Sequence, residues 1–351
     1  MGIMDFLKKP KVQEPFTETT FECKRGDLTI RGTEYRPEGK DLPVAIVSHG
    51  FMAWQDTVRQ YAKELARMGY CAYCFDFCGG SVMKKGKSDG ATTDMSVLTE
   101  VQDLEAVIAY VQSLPYTGNE LLLMGCSQGG FVSALVAAKH PELVNKLVLF
   151  YPALCIPDDA RAGKMMFAKF DPKNIPERIN CGPMKLGRCY PADVIDMDPV
   201  AEIRPYHGPV LIVHGTKDSI VKLDYSRQAQ RAYPNAKLHI IEGGAHGFSK
   251  KHDAIATNLL WRFSEFTEPH IRAHIYSIHN RVQLQKSSRC GCFYCQRIFA
   301  PKDIIEWTDE EDDTAICPYC DIDSVIGDAS GYDISEDALM NMNEYWFRRN
   351  V

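Results

Sequence analysis

The stretch Leu121–Gly130, LLLMGCSQGG, constrains the chain more than any other. Its three leucines and a methionine form a short apolar run of the kind a fully buried strand carries. The run stops at Gly125-Cys126-Ser127-Gln128-Gly129, which fits G-x-S-x-G, and Phe131–His140 reads as a helix. A strand, a sharp turn and a helix around a central Ser form a nucleophile elbow, in which the Ser backbone is strained and the helix passes close by. A Cβ at 125 or 129 would clash there, which accounts for glycine at both positions. By itself G-x-S-x-G also arises in surface turns, so the flanking elements and the rest of the chain decide its meaning.

Along the chain, short strands are expected at Thr20–Lys24 and Leu28–Glu34 around an Arg25-Gly26-Asp27 turn, then at Pro43–Ser48, Tyr70–Phe75, Lys146–Tyr151, Pro209–His214 and Lys237–Glu242. Helices are expected over 57–68, 223–233 and 253–267, and over Met95–Leu114, where the apolar residues recur at 3.6-residue spacing. Strands alternating with helices predict an α/β domain with a mostly parallel central sheet covered on both faces. The stretch 152–205, rich in Pro, Asp, Lys, Met and Cys, breaks this rhythm. It follows the strand after the nucleophile helix, so it is expected to lie over the carboxyl ends of the strands as a cap, about 155–205, that shapes a ligand pocket. A structureless loop of that length is uncommon in a compact domain.

Two further stretches supply partners for Ser127. His214-Gly-Thr-Lys-Asp218 follows one strand and Gly243-Gly-Ala-His246-Gly follows the next, placing an Asp and a His at strand ends. The chain order Ser127, Asp218, His246 is that of α/β-hydrolases. A Ser hydroxyl needs a base to take its proton and return one to the leaving group, and the imidazole needs a carboxylate to orient it. Taken singly, Asp218 reads as a turn residue and His246 as a loop His; the order and the strand-end placement together make the triad. The oxyanion donors expected are the backbone N–H groups of Gln128 and of Phe51, the latter in the loop after PVAIVS. His49, His207 and His214 are read as structural, Cys126 as a small elbow residue, and Cys71-x-x-Cys74 as packing on a strand.

The span from about 18 to 268 resembles the cinnamoyl and feruloyl esterases of the α/β-hydrolase fold, with monoacylglycerol lipases as more distant kin. The resemblance rests on SHGF at 48–51, DFCGGS at 76–81, GCSQGG at 125–130, PA at 152–153, FDPKNIPERI at 170–179, GPVLIVHGTKDSIV at 208–221 and LHIIEGGAHGF at 238–248. It implies a serine esterase of the bacterial intracellular type that cleaves hydroxycinnamate or other small aryl and acyl esters. Ser127, Asp218 and His246 would be its triad and Phe51 and Gln128 its oxyanion donors, with no cofactor for catalysis. It also implies that a cap Asp, Asp159 or its neighbour Asp158, and a cap Tyr, Tyr190, hold a substrate phenol; a solvated Asp pair and a core Tyr would look the same. Cys78 stands where the family commonly has Arg, and the cap carries Arg161, Lys164 and Met165-Met166, departures that bear on the substrate. The alternatives are another acyl hydrolase on the same triad (lipase-like, thioesterase or peptidase-like) or a non-catalytic adaptor.

The composition shifts after Ile275. Cys292-Phe-Tyr-Cys295 and Cys317-Pro-Tyr-Cys320, with 21 residues between, have the spacing of a tetrahedral zinc site with four cysteine ligands. The expected ligands are Cys292, Cys295, Cys317 and Cys320, with Cys290 a further thiol whose contribution stays open. A closed four-cysteine site is structural, and a module this short needs such a staple. The piece resembles small bacterial zinc-ribbon-like proteins carrying CGCFYC…CPYCDIDSVIG. The chain is thus expected to divide into an N-terminal arm (1–17), a hydrolase domain (18–270), a linker helix (271–285) and a zinc-ribbon-like module with a C-terminal helix (286–351). Thirteen cysteines without an export signal point to a reducing compartment, and a cytoplasmic location is expected. A net charge of −6, the acidic run Thr308–Asp313 and the lack of a long apolar run argue against nucleic acid and membrane. That leaves a small ester as substrate, and a protein partner or a homodimer contact through the C-terminal module.

Overall fold

The computed structural model describes residues 15–82, 85–264, 273–308 and 313–348. The start of the N-terminal arm, the end of the 253–267 helix, the first residues of the linker helix and the middle of the acidic run lie outside them. The chain divides into two compact units, Thr17–Ser264 and a second made of Glu265–Val351 with Met1–Phe16.

The first unit is built on an eight-stranded sheet: β1 (Phe16–Arg25), β2 (Leu28–Pro37), β3 (Leu42–Ser48), β4 (Cys71–Phe75), β5 (Thr117–Cys126), β6 (Lys146–Phe150), β11 (Val210–Gly215) and β12 (Ala236–Ile241). Its order is β1-β2-β4-β3-β5-β6-β11-β12. β2 pairs antiparallel with β4, and every pairing from β4 to β12 is parallel. Gly26, at φ 57°, turns the chain between β1 and β2, where a side chain would be strained. β4, β6 and β11 are buried almost throughout because helices cover both faces, which explains their unbroken apolar runs.

Helices α1 (Arg59–Arg67), α2 (Val97–Gln112), α3 (Gln128–Lys139), α7 (Leu223–Ala232) and α8 (Lys250–Ser264) supply that cover. Ser96 starts α2 with a reciprocal cap: its hydroxyl accepts from Thr99 N–H and the Thr99 hydroxyl accepts from Ser96 N–H. Helix α3 begins three residues earlier than its apolar pattern suggests, because the turn at Ser127 leads straight into it. The segment after β6 is not structureless. It holds α4 (Ile156–Arg161), the hairpin β7 (Lys164–Met165) with β8 (Ala168–Lys169), the hairpin β9 (Arg178–Cys181) with β10 (Met184–Gly187), and the short helices α5 (Cys189–Ala192) and α6 (Pro199–Ile203). Elements this short carry too few repeats for either period to register in the sequence.

The second unit has a three-stranded sheet in which β13 (Cys290–Cys292) lies between β14 (Ile298–Phe299) and β17 (Val325–Gly327), and a two-stranded ribbon of β15 (Trp307–Thr308) and β16 (Thr314–Ala315). The linker is a 3-10 turn at Ala273–Ser277 followed by a four-residue helix, Arg281–Leu284. The closing helix Glu336–Asn343 passes into a π-helical turn, Glu344–Arg348. Among the described residues no helix is long and apolar enough to cross a membrane.

Candidate active site

Ser127 sits between β5 and α3 with φ 55° and ψ −119°, a conformation that a residue bearing a Cβ adopts only under strain. The surroundings hold it there. A Cβ on Gly125 would lie 2.1 Å from the Gly129 carbonyl oxygen, and one on Gly129 would lie 2.3 Å from that of His49. The Ser127 carbonyl in turn accepts from the N–H groups of Gly130, Phe131 and Ala153. Gln128, the first helical residue, has no intrahelical carbonyl for its N–H.

Two loops bring the partners. His246, in the loop after β12, places Nε2 3.0 Å from Ser127 Oγ and donates from Nδ1 to Asp218 Oδ2 at 2.8 Å. Asp218, in the loop after β11, accepts at Oδ1 from the N–H groups of Ile220 and Val221 at 2.9 Å each. The two loops meet closely, since a Cβ on Gly215 would lie 2.1 Å from the Gly244 carbonyl oxygen. Burial alone would raise the Asp218 pKa. Hydrogen bonds from His214, His246 and the Val221 N–H, with the His246 charge, outweigh it and hold the carboxylate ionised well below the usual range.

His214 thus does more than pack. It is fully buried, with Nε2 3.2 Å from Asp218 Oδ2 and 3.0 Å from the Val221 carbonyl, and Nδ1 2.7 Å from Ser226 Oγ. A fixed second donor to Asp218 could have been suspected from the His-x-x-x-Asp spacing, which returns the chain through one tight turn. His207 is exposed, and its carbonyl accepts from Asn235.

The loop after β3 lies against Ser127: a Cβ on Gly50 would stand 3.1 Å from Ser127 Cβ. His49 anchors it, donating from Nδ1 to the Gly50 carbonyl and accepting at Nε2 from Phe77 N–H. Burial lowers the pKa of this fully enclosed imidazole, so it is a neutral hydrogen-bonder. Phe51 follows directly and is half-buried.

The cap residues fall differently. Asp158 is exposed, paired with Arg161 at 2.6 Å and accepting from the Tyr225 hydroxyl. Asp159 is half-buried, and burial with the neighbouring Asp158 charge raises its pKa against the opposing hydrogen bond from Cys155. Tyr190 is fully buried; its hydroxyl donates to Gln128 Oε1, and its ring centroid is 5.2 Å from that of Phe51. Cys71 and Cys74 are free and buried, and burial pushes both thiols up to about 12, which suits packing rather than redox chemistry. Cys126 is likewise buried.

In the second unit the Sγ atoms of Cys292, Cys295, Cys317 and Cys320 all lie within 4.8 Å of one another. The separations Cys292–Cys320 and Cys295–Cys317 are 3.6 and 3.8 Å. A tetrahedral zinc with Zn–S near 2.3 Å needs sulfurs about 3.8 Å apart, so the thiols fit that ion. The two knuckles share one backbone form. Gln296 N–H donates to the Cys292 carbonyl and Asp321 N–H to that of Cys317, and Gln296 and Asp321 are both left-handed, at φ 62° and 59°. Cys290 is buried in β13 and is not one of the four.

With this geometry in place, comparison with known proteins defines the class. Residues 40–182 match the family described as serine aminopeptidase, S33. Monoglyceride lipase from Rattus norvegicus is 27% identical over 220 residues, which cover 60% of this chain and 67% of that protein. The structure of Est1E from Butyrivibrio proteoclasticus with bound ferulic acid aligns with a TM-score of 0.64 and 26% identity, over 68% of this chain and 96% of that one. DcsB, in complex with its substrate analogue, shares the fold at a TM-score of 0.56 and 21% identity, over 72% of this chain and 99% of that one. The Thr17–Ser264 unit has the α/β-hydrolase fold, and the chain is a serine hydrolase.

Proposed function

We propose that the chain is a carboxylic-ester hydrolase working through Ser127, His246 and Asp218, on small aryl or acyl esters of the hydroxycinnamate type. The observation that carries this reading is the continuous relay from Ser127 Oγ to His246 Nε2 and from Nδ1 to Asp218. His246 takes the Ser127 proton as Oγ attacks the ester carbonyl carbon. The oxyanion so formed is met by the N–H groups of Gln128 and Phe51. The imidazolium, held by Asp218, then protonates the departing alkoxide, and water repeats the sequence to release the acid from the acyl-enzyme. Removal of one oxyanion donor costs roughly 3 kcal/mol in reactions of this type.

The ester class is supported by the likeness to Est1E with ferulic acid and to monoglyceride lipase. Asp159 is the proposed cap contact for a substrate phenol, because its carboxyl is partly sheltered while that of Asp158 is engaged by Arg161 and Tyr225. The serine-aminopeptidase description of the matching family is the ground for a second reading, a peptidase on the same triad. Hydrolysis of methyl hydroxycinnamates and p-nitrophenyl esters, set against aminoacyl p-nitroanilides, separates the two. Faster turnover of the anilides would overturn the ester reading.

We also propose that Cys292, Cys295, Cys317 and Cys320 hold a structural zinc. Four thiolates fill its coordination sphere, so the ion would brace the fold of the second unit and leave the ester chemistry to the first. The module's occupant would be a protein, either a partner or a second copy of the chain, since its acidic run disfavours nucleic acid. A reducing, cytoplasmic setting suits thirteen cysteines, none of them in a disulfide in the structure.

A further inference from the structure

The residue that follows a nucleophilic Ser is required for its backbone N–H, and a short side chain would satisfy that need. Here the position holds Gln128, with no exposed surface and an amide engaged at both ends. Its Nε2 donates to Glu100 Oε2 at 2.8 Å, and its Oε1 accepts from the Tyr190 hydroxyl. Glu100 comes from the first turn of α2 and Tyr190 from α5, so one side chain ties the nucleophile helix to two separate elements. Glu100 is itself buried, with no cation paired to it among the described residues. Burial raises its pKa far above the carboxylate range, and the Gln128 hydrogen bond offsets this only in part. A neutral acid in that position keeps an acceptor oxygen for the amide without introducing a charge beside the reacting carbonyl. Tyr190 also lies against the Phe51 ring, so the same residue presses on the loop of the second expected donor.

We propose that Gln128 is a strut, braced by Glu100 on one side and Tyr190 on the other, which fixes the N–H of residue 128 toward the developing oxyanion. This rests on the serine-esterase reading above. Glu100 and Tyr190 are then positioning residues: they act on turnover, and Tyr190 does so whether or not the substrate carries a phenol. A Tyr190 that served as a phenol clamp would instead affect only hydroxylated acyl groups, and mainly through KM.

The test is steady-state kinetics of the full chain with methyl p-coumarate and methyl cinnamate, which differ by that hydroxyl. Gln128→Met keeps the backbone N–H and the bulk but removes the amide. It should lower kcat about tenfold for both esters with KM within about twofold. Tyr190→Phe and Glu100→Leu should lower kcat similarly for both, and Glu100→Gln, which retains an acceptor for the amide, should recover most of the loss. The inhibition constant of phenylboronic acid, whose adduct with the Ser mimics the tetrahedral state, should rise in step with the fall in kcat. Thermal midpoints identify any variant that fails to fold, and the boronate constant of the remaining variants still decides. Unchanged kcat in Gln128→Met, or a Tyr190→Phe defect confined to p-coumarate, would overturn the strut. Absence of ester turnover in the wild type would instead sink the esterase reading, and the strut with it.

Discussion

Cys78 stands where the esterases this chain resembles commonly have Arg, yet a guanidinium still reaches its loop. Arg25, at the end of β1, places Nε 2.5 Å from Asp103 Oδ1, and Asp103 Oδ2 accepts from Cys78 N–H at 2.8 Å. The Asp103 side chain is fully buried and that of Arg25 is 21% exposed. Arg25→Met keeps the bulk and leaves this carboxylate with the Cys78 N–H and no cation. Breaking a buried pair in this way typically costs about 3–5 kcal/mol. The loss has a ceiling, because the carboxyl can take up a proton: against an unfolded pKa of about 3.9, that uptake costs about 4 kcal/mol at pH 7 and about 1.5 at pH 5.

Burial already raises the Asp103 pKa, against the opposing pull of Arg25 and the Cys78 hydrogen bonds, and removing Arg25 raises it further. In the variant the folded state therefore holds a proton that the unfolded state has released above about pH 4. Stability then falls as pH rises from there toward the new folded pKa. Urea unfolding at pH 5 and pH 7 should give a deficit of about 1.5 kcal/mol at the lower pH and about 3–4 at the higher. Arg25→Met with Asp103→Asn, which keeps an acceptor for Cys78 N–H, should lose the pH dependence. An equal deficit at both pH values, or one under about 1 kcal/mol at pH 7, would refute the reasoning.

Other outcomes follow from the same geometry. Gly129→Ala, whose Cβ would meet the His49 and Ser48 carbonyl oxygens at 2.3 and 2.5 Å, should displace the start of α3 and lower ester turnover by about a hundredfold or more. Purified protein should contain one zinc per chain by metal analysis. Cys317→Ser should lose the ion and make the second unit susceptible to protease, while Ser127 keeps its reactivity; an unchanged metal content would exclude the four-cysteine assignment.

The parts of the fold that could be read from the sequence are those with a long-range pattern. The second half of β5, from Leu121, and β11 are buried on both faces and show as short apolar runs, and α2 shows as a stripe. Ser127, Asp218 and His246 could be singled out because each follows a strand that the sequence marks clearly, and a parallel sheet gathers such ends on one side. The four cysteines could be paired because their spacing is local. The hairpins at 164–169 and 178–187 could not be read, since two- and four-residue strands carry no period. Nor could the role of Glu100, which reads as one polar residue on an amphipathic helix until α3 and α5 close over it. His214 and Arg25 escape for the same reason, as their partners depend on how separate loops meet.

The central claim is that Ser127 is an activated nucleophile. Its most direct test is mass spectrometry of the full chain after reaction with a fluorophosphonate, alongside Ser127→Ala. One adduct per chain on the peptide containing Ser127, absent from the variant and slowed at least a hundredfold by His246→Ala, is the predicted result. No adduct on the wild type, or an equal adduct on Ser127→Ala, would contradict it.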